Sequence, residues 1–454
     1  MEQDLILLEN LCASANASMF RRIKYQNVKA VIHPTNEEEA RQAILHAKAK
    51  GLTITPKGAG SSLSGASTGG NFSKIILTTH KLDHIKMLDL DREVACVQSG
   101  VTPDQLNQHL KNTDYRFFVT PSSKDIATIG GMISTDAGGN DAWLHGTMRD
   151  NLKSVTFLDS KGRAIRITAT DVSCEDKNLE QTLRDEQISL NDVVNSHGVL
   201  GFIIEAEVKL NKVVHQQVEY GVLTFSDLDH YGTGVVEIIK NKIPLTYSEA
   251  VVQIPDWMHD KYKAPLLILS FPGEYQENLE SLAKLHCLDT SVGLEMQEFR
   301  RSLPKRTPRK GTQLPYFEGY GFSEQHLLNF GEMITELNSL WQSNGLEPFM
   351  RYGHSPCKWY VDDNETFGLI MHAREVKAEK NGKELVKILN DVVQFCKEKE
   401  ITPKPEHKWP YMQHEYGDDD NGHQHQNKSI VNQALSLFVK GPGNCHGGSS
   451  ISVD

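Results

Sequence analysis

The residue types and spacing that could do chemistry are concentrated first in Pro56-Lys57-Gly58-Ala59-Gly60-Ser61-Ser62-Leu63-Ser64-Gly65, with a further glycine pair at Gly69 and Gly70. Glycines at alternate positions let the backbone take positive φ and approach a ligand closely, while the amides and small hydroxyls between them can ring a phosphate. The stretch therefore reads as a diphosphate cradle, although the same composition also fits a plain turn or linker. A second segment, Thr128-Ile129-Gly130-Gly131-Met132-Ile133-Ser134-Thr135-Asp136-Ala137-Gly138-Gly139, is again glycine-rich but apolar. That suits a buried turn against a flat cofactor better than a solvated linker. No Lys-Ser/Thr pair follows the first glycines, and the stretch is not G-x-G-x-x-G opening a helix, so neither a P-loop nor a Rossmann mechanism fits.

These segments need elements to hold them. The β-branched run Leu52-Thr53-Ile54-Thr55 is a strand leading into the cradle. Thr35 followed by Glu38 reads as a capping box, and Ala40, Ala43, Ile44 and Ala47 fall on one helical face that ends at Gly51. Strand-like runs over 75–77 and 94–97 follow, and Thr102-Pro103 opens a helix carrying Leu106 and Leu110. The runs over 155–158 and 165–167, joined by Asp159-Ser160-Lys161-Gly162, read as a hairpin. The charged segment 174–187 is expected to be an exposed insertion. Beyond Leu210, strands over 217–225, 248–254, 266–271 and 366–372 alternate with amphipathic helices over 228–240, 279–288, 324–341 and 383–397. This order suggests split β-α-β units on an antiparallel sheet, and the chain as a whole is α+β.

With 454 residues the chain can bury two or three cores. A net charge of −11 without a long basic run argues against nucleic acid or an anionic membrane surface as a main partner. The seven cysteines are scattered and include no C-x-x-C pair, which disfavours a disulfide framework or an iron–sulfur site. The acidic start Met1-Glu2-Gln3-Asp4 lacks the basic region of a signal peptide, and no stretch approaches 18 apolar residues. The expectation is a cytoplasmic protein without a transmembrane segment, compatible with peripheral attachment to membrane electron carriers.

The two glycine segments, with His145-Gly146-Thr147-Met148-Arg149-Asp150 and Gly198-Val199-Leu200-Gly201-Phe202-Ile203-Ile204 after them, resemble the PCMH-type FAD-binding domain of the vanillyl-alcohol-oxidase superfamily. Within it they are most similar to the branch that holds D-lactate dehydrogenases, the glycolate oxidase flavoprotein subunit and D-2-hydroxyglutarate dehydrogenase. The resemblance runs from about Val28 to about Leu210. It implies an FAD-binding domain of two α+β subdomains over 28–212 and a ferredoxin-like α+β cap over 213–416, flanked by a helical lead-in over 1–27 and a tail over 417–454. It assigns FAD contacts to Pro56, Gly58, Ala59, Gly60, Ser61, Ser62, Gly65, Pro121, Ser122, Ile129, Gly130, Gly131, Ser134, Gly138, Gly146, Gly198, Gly201 and Ile203. Where members with histidyl-linked flavin carry a histidine, this chain has Ser61 and Ser62, so the FAD is expected to be non-covalent.

The resemblance further implies that the chain oxidises a 2-hydroxy acid and passes electrons to a quinone, a cytochrome or an electron-transfer flavoprotein. Such a reaction needs a base for the hydroxyl proton, a hydride acceptor and cations for the carboxylate. Glu406-His407 stands where the family has a Glu-His-Gly motif, so His407 is the expected base and Glu406 a metal ligand; without the resemblance the pair reads as an exposed charged dipeptide. Arg351-Tyr352-Gly353-His354 resembles the opening of the family's metal motif and makes His354 a second ligand. Here the sequence departs from the pattern. Ser355-Pro356-Cys357-Lys358-Trp359-Tyr360 replaces a Gly-Asp-Gly-Asn turn, and Val361 stands where the second histidine belongs, leaving too few ligands for catalytic zinc unless His372 substitutes. Lys358, in that altered turn, could stabilise an alkoxide by a point charge instead. In Glu298-Phe299-Arg300-Arg301, Arg300 is the candidate for gripping the substrate carboxylate. The altered motif keeps two rivals open: a flavin-binding subunit whose hydroxy-acid site has degenerated, and an enzyme of the same fold acting on another alcohol.

Overall fold

A computed structural model describes residues 28–62, 67, 73–213, 218–254, 263–282, 287–291, 295–296, 298–299, 318–345, 347–361, 364–376, 391–392 and 394–403. Gly65, Gly69, Gly70, Arg300, Glu406 and His407 lie outside the described residues, as do the 1–27 lead-in and the 417–454 tail. Two compact units emerge. The first contains 28–138 and 147–213, and the second contains 139–146 together with the described residues from 218 to 403.

The first unit opens with a three-stranded parallel sheet of β1 (Val28–Ile32), β2 (Thr53–Lys57) and β3 (Lys74–Thr78), ordered β1-β3-β2. Helix α1 (Glu37–Ala49) connects β1 to β2 and buries Ala40, Ala43, Ile44 and Ala47 against Ile54, Ile75 and Leu77. Its cap sits one residue beyond the expected position. Asn36 accepts from the backbone N–H of Glu39 at 3.0 Å, while the backbone N–H and hydroxyl of Thr35 both donate to the Glu39 carboxylate at 2.8 and 2.9 Å. Gly51, at φ +63°, turns the chain out of the helix as expected.

A six-stranded antiparallel sheet follows: β4 (Ile85–Asp89), β5 (Val94–Gln98), β7 (Leu152–Leu158), β8 (Ala164–Thr168), β9 (Val172–Cys174) and β10 (Phe202–Lys209), ordered β4-β5-β10-β7-β8-β9. β6 (Tyr115–Arg116) and β11 (Asn211–Lys212) form a separate pair. Helix α2 (Pro103–His109) starts at the Thr102 capping box and buries Leu106; Leu110, its C-cap, is buried as well. The segment 174–187 is largely exposed, as expected from its charges, but it is anchored to the core. It ends β9 and forms α6 (Lys177–Asp185), in which Leu179 and Leu183, four residues apart and so on one face, enter the main core. A short helix α7 (Leu190–Val193) leads from there towards β10.

The second unit repeats one motif twice. β12 (Val218–Thr224), α8 (Leu228–Lys240), β13 (Tyr247–Gln253), β14 (Leu266–Pro272), α9 (Gln276–Leu282) and β15 (Cys287–Asp289) run β-α-β-β-α-β and are ordered β15-β12-β14-β13. β16 (Glu318–Ser323), α10 (Glu324–Leu327), α11 (Phe330–Ser343), β17 (Glu347–Val361), β18 (Asn364–Val376), helical residues at 391–392 and 394–398, and β19 (Thr402–Pro403) repeat the pattern with order β17-β18-β16-β19. Each is the ferredoxin-like arrangement expected once. The second strands of the two motifs, β13 and β17, pair antiparallel with Val251 opposite Tyr352, which fuses both into one eight-stranded sheet. Two expectations are corrected here. The helix expected over 279–288 ends at Leu282 and gives way to β15, and 355–360 is no turn but the continuation of β17, interrupted only by a bulge between His354 and Cys357. Among the described residues no helix is long and apolar enough to cross a membrane.

Gly353 occupies the seam, opposite Ala250 on one side and Met371 on the other, and an added Cβ would stand 1.9 Å from the Ile370 carbonyl oxygen. Gly353→Ala should therefore cost about 3 kcal/mol or more, the scale of overpacking against an immovable neighbour. Urea unfolding followed by tryptophan fluorescence should show a lowered midpoint; a midpoint equal to that of the parent protein would count against backbones packed this closely at the seam.

Candidate functional site

In the first unit the chain leaves β2 at Lys57 and is held to the next glycine segment by close approach. A Cβ on Gly58 would lie 2.3 Å from the Thr128 hydroxyl oxygen and 3.6 Å from the Gly131 Cα. Thr128 is the N-cap of α3 (Ile129–Thr135), and its Oγ1 accepts the Gly131 N–H at 3.3 Å. The second segment, expected as a buried turn, is thus the start of a helix. The third segment arrives alongside: Asn195 and His197 donate backbone N–H groups to the Ile133 and Ser134 carbonyls at 3.0 and 2.8 Å, and Gly198, at φ +80°, lies 3.4 Å from the Pro56 ring by its missing Cβ. Pro56, Gly58, Gly131 and Gly198 come together. Gly60 takes φ +70° and is buried, Ser61 and Ser62 are half-buried, and Ala59 is exposed.

The other expected contacts have packing roles of their own. Gly130 lies against Ser99, whose Cβ would be 2.7 Å from an added methyl; Gly201 lies against the Leu158 carbonyl at 2.3 Å; Ile129 and Ile203 belong to the main core. The Ser134 hydroxyl donates to the Gly130 carbonyl at 2.9 Å. Pro121 and Ser122 lie on the run-in to α3, where the Pro121 carbonyl accepts from Lys124 at 2.9 Å. Gly138 closes the first unit's segment. Gly146 falls in the second unit, at φ +76°, as the C-cap of α4 (Ala142–His145), whose Trp143 donates to the Ile243 carbonyl at 2.7 Å and stands edge-on to Phe367.

One feature escaped the sequence reading. Asp136, at φ +47°, accepts the Arg149 backbone N–H at 3.0 Å and faces its guanidinium at 3.4 Å, while Met148 N–H donates to Ala137 O at 3.0 Å. Arg149 begins the turn carried by α5 (Met148–Asn151), so these bonds close both ends of the excursion over 139–146. Burial raises the Asp136 pKa, and Arg149 opposes that shift.

A positive-φ turn of small residues, two serines and an adjacent helix start form a donor set suited to the diphosphate of FAD.

In the second unit, His354 on β17 stands with Nδ1 3.3 Å from the carboxylate of Glu249 on β13; the histidine side chain is 15% exposed and the glutamate 1%. Period-two alternation puts Glu249 on the face of Tyr247 and Val251, which pack with Tyr352 in one apolar cluster. Glu249 was not singled out from the sequence, although a carboxylate inside the apolar run Tyr247-Ser248-Glu249-Ala250-Val251 is the signal that could have found it. Ser355 accepts a hydrogen bond from the buried Tyr231 hydroxyl at 2.7 Å, and burial pushes that hydroxyl's pKa up. Lys358 lies beyond the bulge, 3.4 Å from Glu365 and 5.3 Å from the Tyr360 ring centroid, so part of its charge is engaged within the strand pair. His372 pairs with Tyr352 in the ladder. Among the described residues there is no group of three or more histidine, cysteine or carboxylate side chains that could hold a metal.

Residues 28–168 match the family described as FAD binding domain. The chain is 28% identical over 215 residues to a D-lactate dehydrogenase of Archaeoglobus fulgidus, a match covering 47% of this chain and 46% of the relative. It is 28% identical over 225 residues to the glycolate oxidase subunit GlcD of Bacillus subtilis, covering 48% and 45%. The chain thus spans about half the length of these curated relatives. Its fold resembles that of an alkyldihydroxyacetonephosphate synthase, with TM-score 0.63 at 16% identity over 90% of this chain and 76% of that one. The fold is accordingly that of PCMH-type FAD-binding enzymes.

The glycines of the cradle separate packing from ligand contact. Gly131 has a single neighbour near its missing Cβ, the Thr128 hydroxyl at 3.2 Å, whereas Gly58 and Gly130 have protein atoms at 2.3 and 2.7 Å. Gly131→Ala should leave the melting temperature of the flavin-free protein within a few degrees while lowering FAD affinity, and Gly130→Ala should lower stability with or without flavin. Full FAD retention in purified Gly131→Ala would remove that position from the cofactor site.

Proposed function

We propose that this chain, whose residues 28–168 form an FAD-binding domain, is an FAD-dependent oxidoreductase that oxidises a 2-hydroxy acid of the D-lactate or glycolate type to the 2-oxo acid. The observation that carries the reading is the convergence of the loop after β2, the start of α3 and the Gly198 turn, in the segment that matches the FAD-binding family. The names of the relatives, D-lactate dehydrogenase and glycolate oxidase subunit, supply the substrate class. FAD would be held non-covalently by the backbone of Gly58–Ser62, the start of α3 and the Gly198 turn, and when bound it supplies the hydride acceptor.

The proton chemistry falls to this chain's own side chains. His407 is the assigned base for the hydroxyl proton and Arg300 the assigned partner of the substrate carboxylate, both by resemblance. In the second unit His354 Nδ1 stands 3.3 Å from the Glu249 carboxylate, so a proton carried on Nδ1 would face that carboxylate and leave Nε2 as the acceptor. A divalent metal held by His354 and Glu406 is the competing use of the same imidazole. Electrons leave to a quinone, a cytochrome or an electron-transfer flavoprotein. The pairing of His354 with Glu249, in place of a complete metal motif, favours one second reading: a flavin-binding subunit whose hydroxy-acid site no longer turns over.

Acid precipitation should release FAD into the supernatant, and anaerobic mixing with D- and L-lactate, glycolate and D-2-hydroxyglutarate should bleach the flavin with at least one of them. Flavin that stays oxidised with the whole panel would sink the enzyme reading and leave the binding subunit. In an active protein, His407→Asn should slow flavin reduction about a hundredfold or more with FAD still bound. Glu249→Gln and His354→Ala should each slow it too, and a chelator that reproduces the His354→Ala effect identifies the metal-dependent form.

A further inference from the structure

We propose that Lys57 is a cofactor-binding residue, the buried cation that neutralises the diphosphate of the flavin nucleotide held in the cradle. The proposal rests on the FAD reading above and adds a residue that neither the glycine motif nor the family match assigns. Lys57 ends β2, in register with Thr78 of β3, and its backbone carbonyl accepts the Thr79 N–H at 3.0 Å. It is only 5% exposed. After Lys57 the chain reverses through Gly58 and Ala59 so that Gly60 comes to lie over the Lys57 ammonium: a Cβ on Gly60 would stand 2.6 Å from Nζ, 3.5 Å from Cε and 3.5 Å from the Ser67 hydroxyl. The glycine at 60, at φ +70°, therefore serves two ends at once. It permits the left-handed turn, and it leaves the space that the ammonium fills.

A side chain in this place carries its charge to the carboxyl edge of a parallel sheet, where ligands of open α/β sheets are bound. The loop above it offers the amides and serines that would ring a phosphate. Backbone donors can orient a diphosphate but bring no net charge, whereas an ammonium shielded from solvent acts with little screening by salt or water. Among the described residues on this edge, Lys81 is exposed, and His33, 2.6 Å from the Thr78 hydroxyl, has its pKa lowered by burial and by His80 and Lys81, whereas Lys57 is a buried lysine.

The test is titration of flavin-free protein with FAD at several salt concentrations, for the parent protein and for Lys57→Met and Lys57→Gln, together with thermal unfolding of each flavin-free protein. Lys57→Met should weaken FAD binding about tenfold to a hundredfold, the worth of a hydrogen bond to a charged group. It should also flatten the dependence of affinity on salt, and leave the flavin-free melting temperature unchanged or raised. Lys57→Gln, which keeps length and a donor but not charge, should behave alike. FAD affinity within twofold of the parent value in both variants overturns the proposal. So does weakened binding that comes with a lowered flavin-free melting temperature and an unchanged salt dependence, which marks Lys57 as a prop for the loop. Failure of the parent protein itself to bind FAD overturns the FAD reading first, and is distinguished from both outcomes by that control.

Discussion

The first unit depends on how closely the loop after β2 can approach the start of α3 at Gly58. The loop reaches α3 only because Gly58 carries no side chain on the facing side, where a Cβ would meet the Thr128 hydroxyl oxygen. That hydroxyl already caps α3 by accepting the Gly131 N–H. One oxygen thus fixes the start of a helix and the path of a loop belonging to a different sheet. The consequences spread outward: Gly130 is pressed on Ser99 at the end of β5, Pro56 meets the Gly198 turn, and the residues before that turn bond to the last carbonyls of α3. A site assembled in this way is held by the protein's own contacts.

The second unit solves a different problem. A single β-α-β-β-α-β motif leaves its second strand as an unpaired edge, and exposed edges invite unwanted pairing. Here β13 and β17 use each other as the missing neighbour, so two motifs share one sheet. Helices α8 and α11 meet through Tyr231 and Phe330, with Phe322 of β16 edge-on to Phe330, and Tyr231 reaches Ser355 on β17. Buried polar groups stand at this seam, Glu249 on β13 and Arg351 on β17 among them. Glu249 and His354 come from the two strands that meet there, so neither motif alone contains the pair.

Legibility in the sequence followed the range of the interactions. Helix α1 was readable because a local signal, Asn, Thr and Glu near its start and alanines at helical spacing, fixes it; even so the cap lay one residue on, since Asn36 takes the Glu39 backbone N–H while Thr35 donates to the Glu39 carboxylate. In residues 174–187 the exposed charges were legible but the anchoring was not, because the charges outnumber the two core leucines, while burial is decided by the face those leucines share. The glycine segments were recognisable as a set, but composition could not tell which glycines serve packing and which leave room for a ligand: Gly130, Gly201 and Gly58 all answer to neighbours far along the chain. The repeat in the second unit left no trace in the sequence because strand order depends on pairing partners and not on residue identity.

The departure at 355–360 follows from the same logic. A motif that in relatives is expected to turn back on itself is here drawn into β17, where alternate residues serve opposite faces of a sheet. Cys357 and Trp359 are claimed by an apolar cluster with Ala142 and Ile370, and Lys358 is left to Glu365 and Tyr360. His354, ahead of the bulge, faces a buried carboxylate on the other neighbouring strand, β13, and keeps a partly exposed edge. The strand therefore does more than replace a turn: it disperses side chains that a turn would gather round one point. On the function proposed above, chemistry of the second unit at β17 would be organised about His354 and the buried carboxylate beside it, because a bulge allows one side chain to be re-aimed without disturbing the ladder on either side.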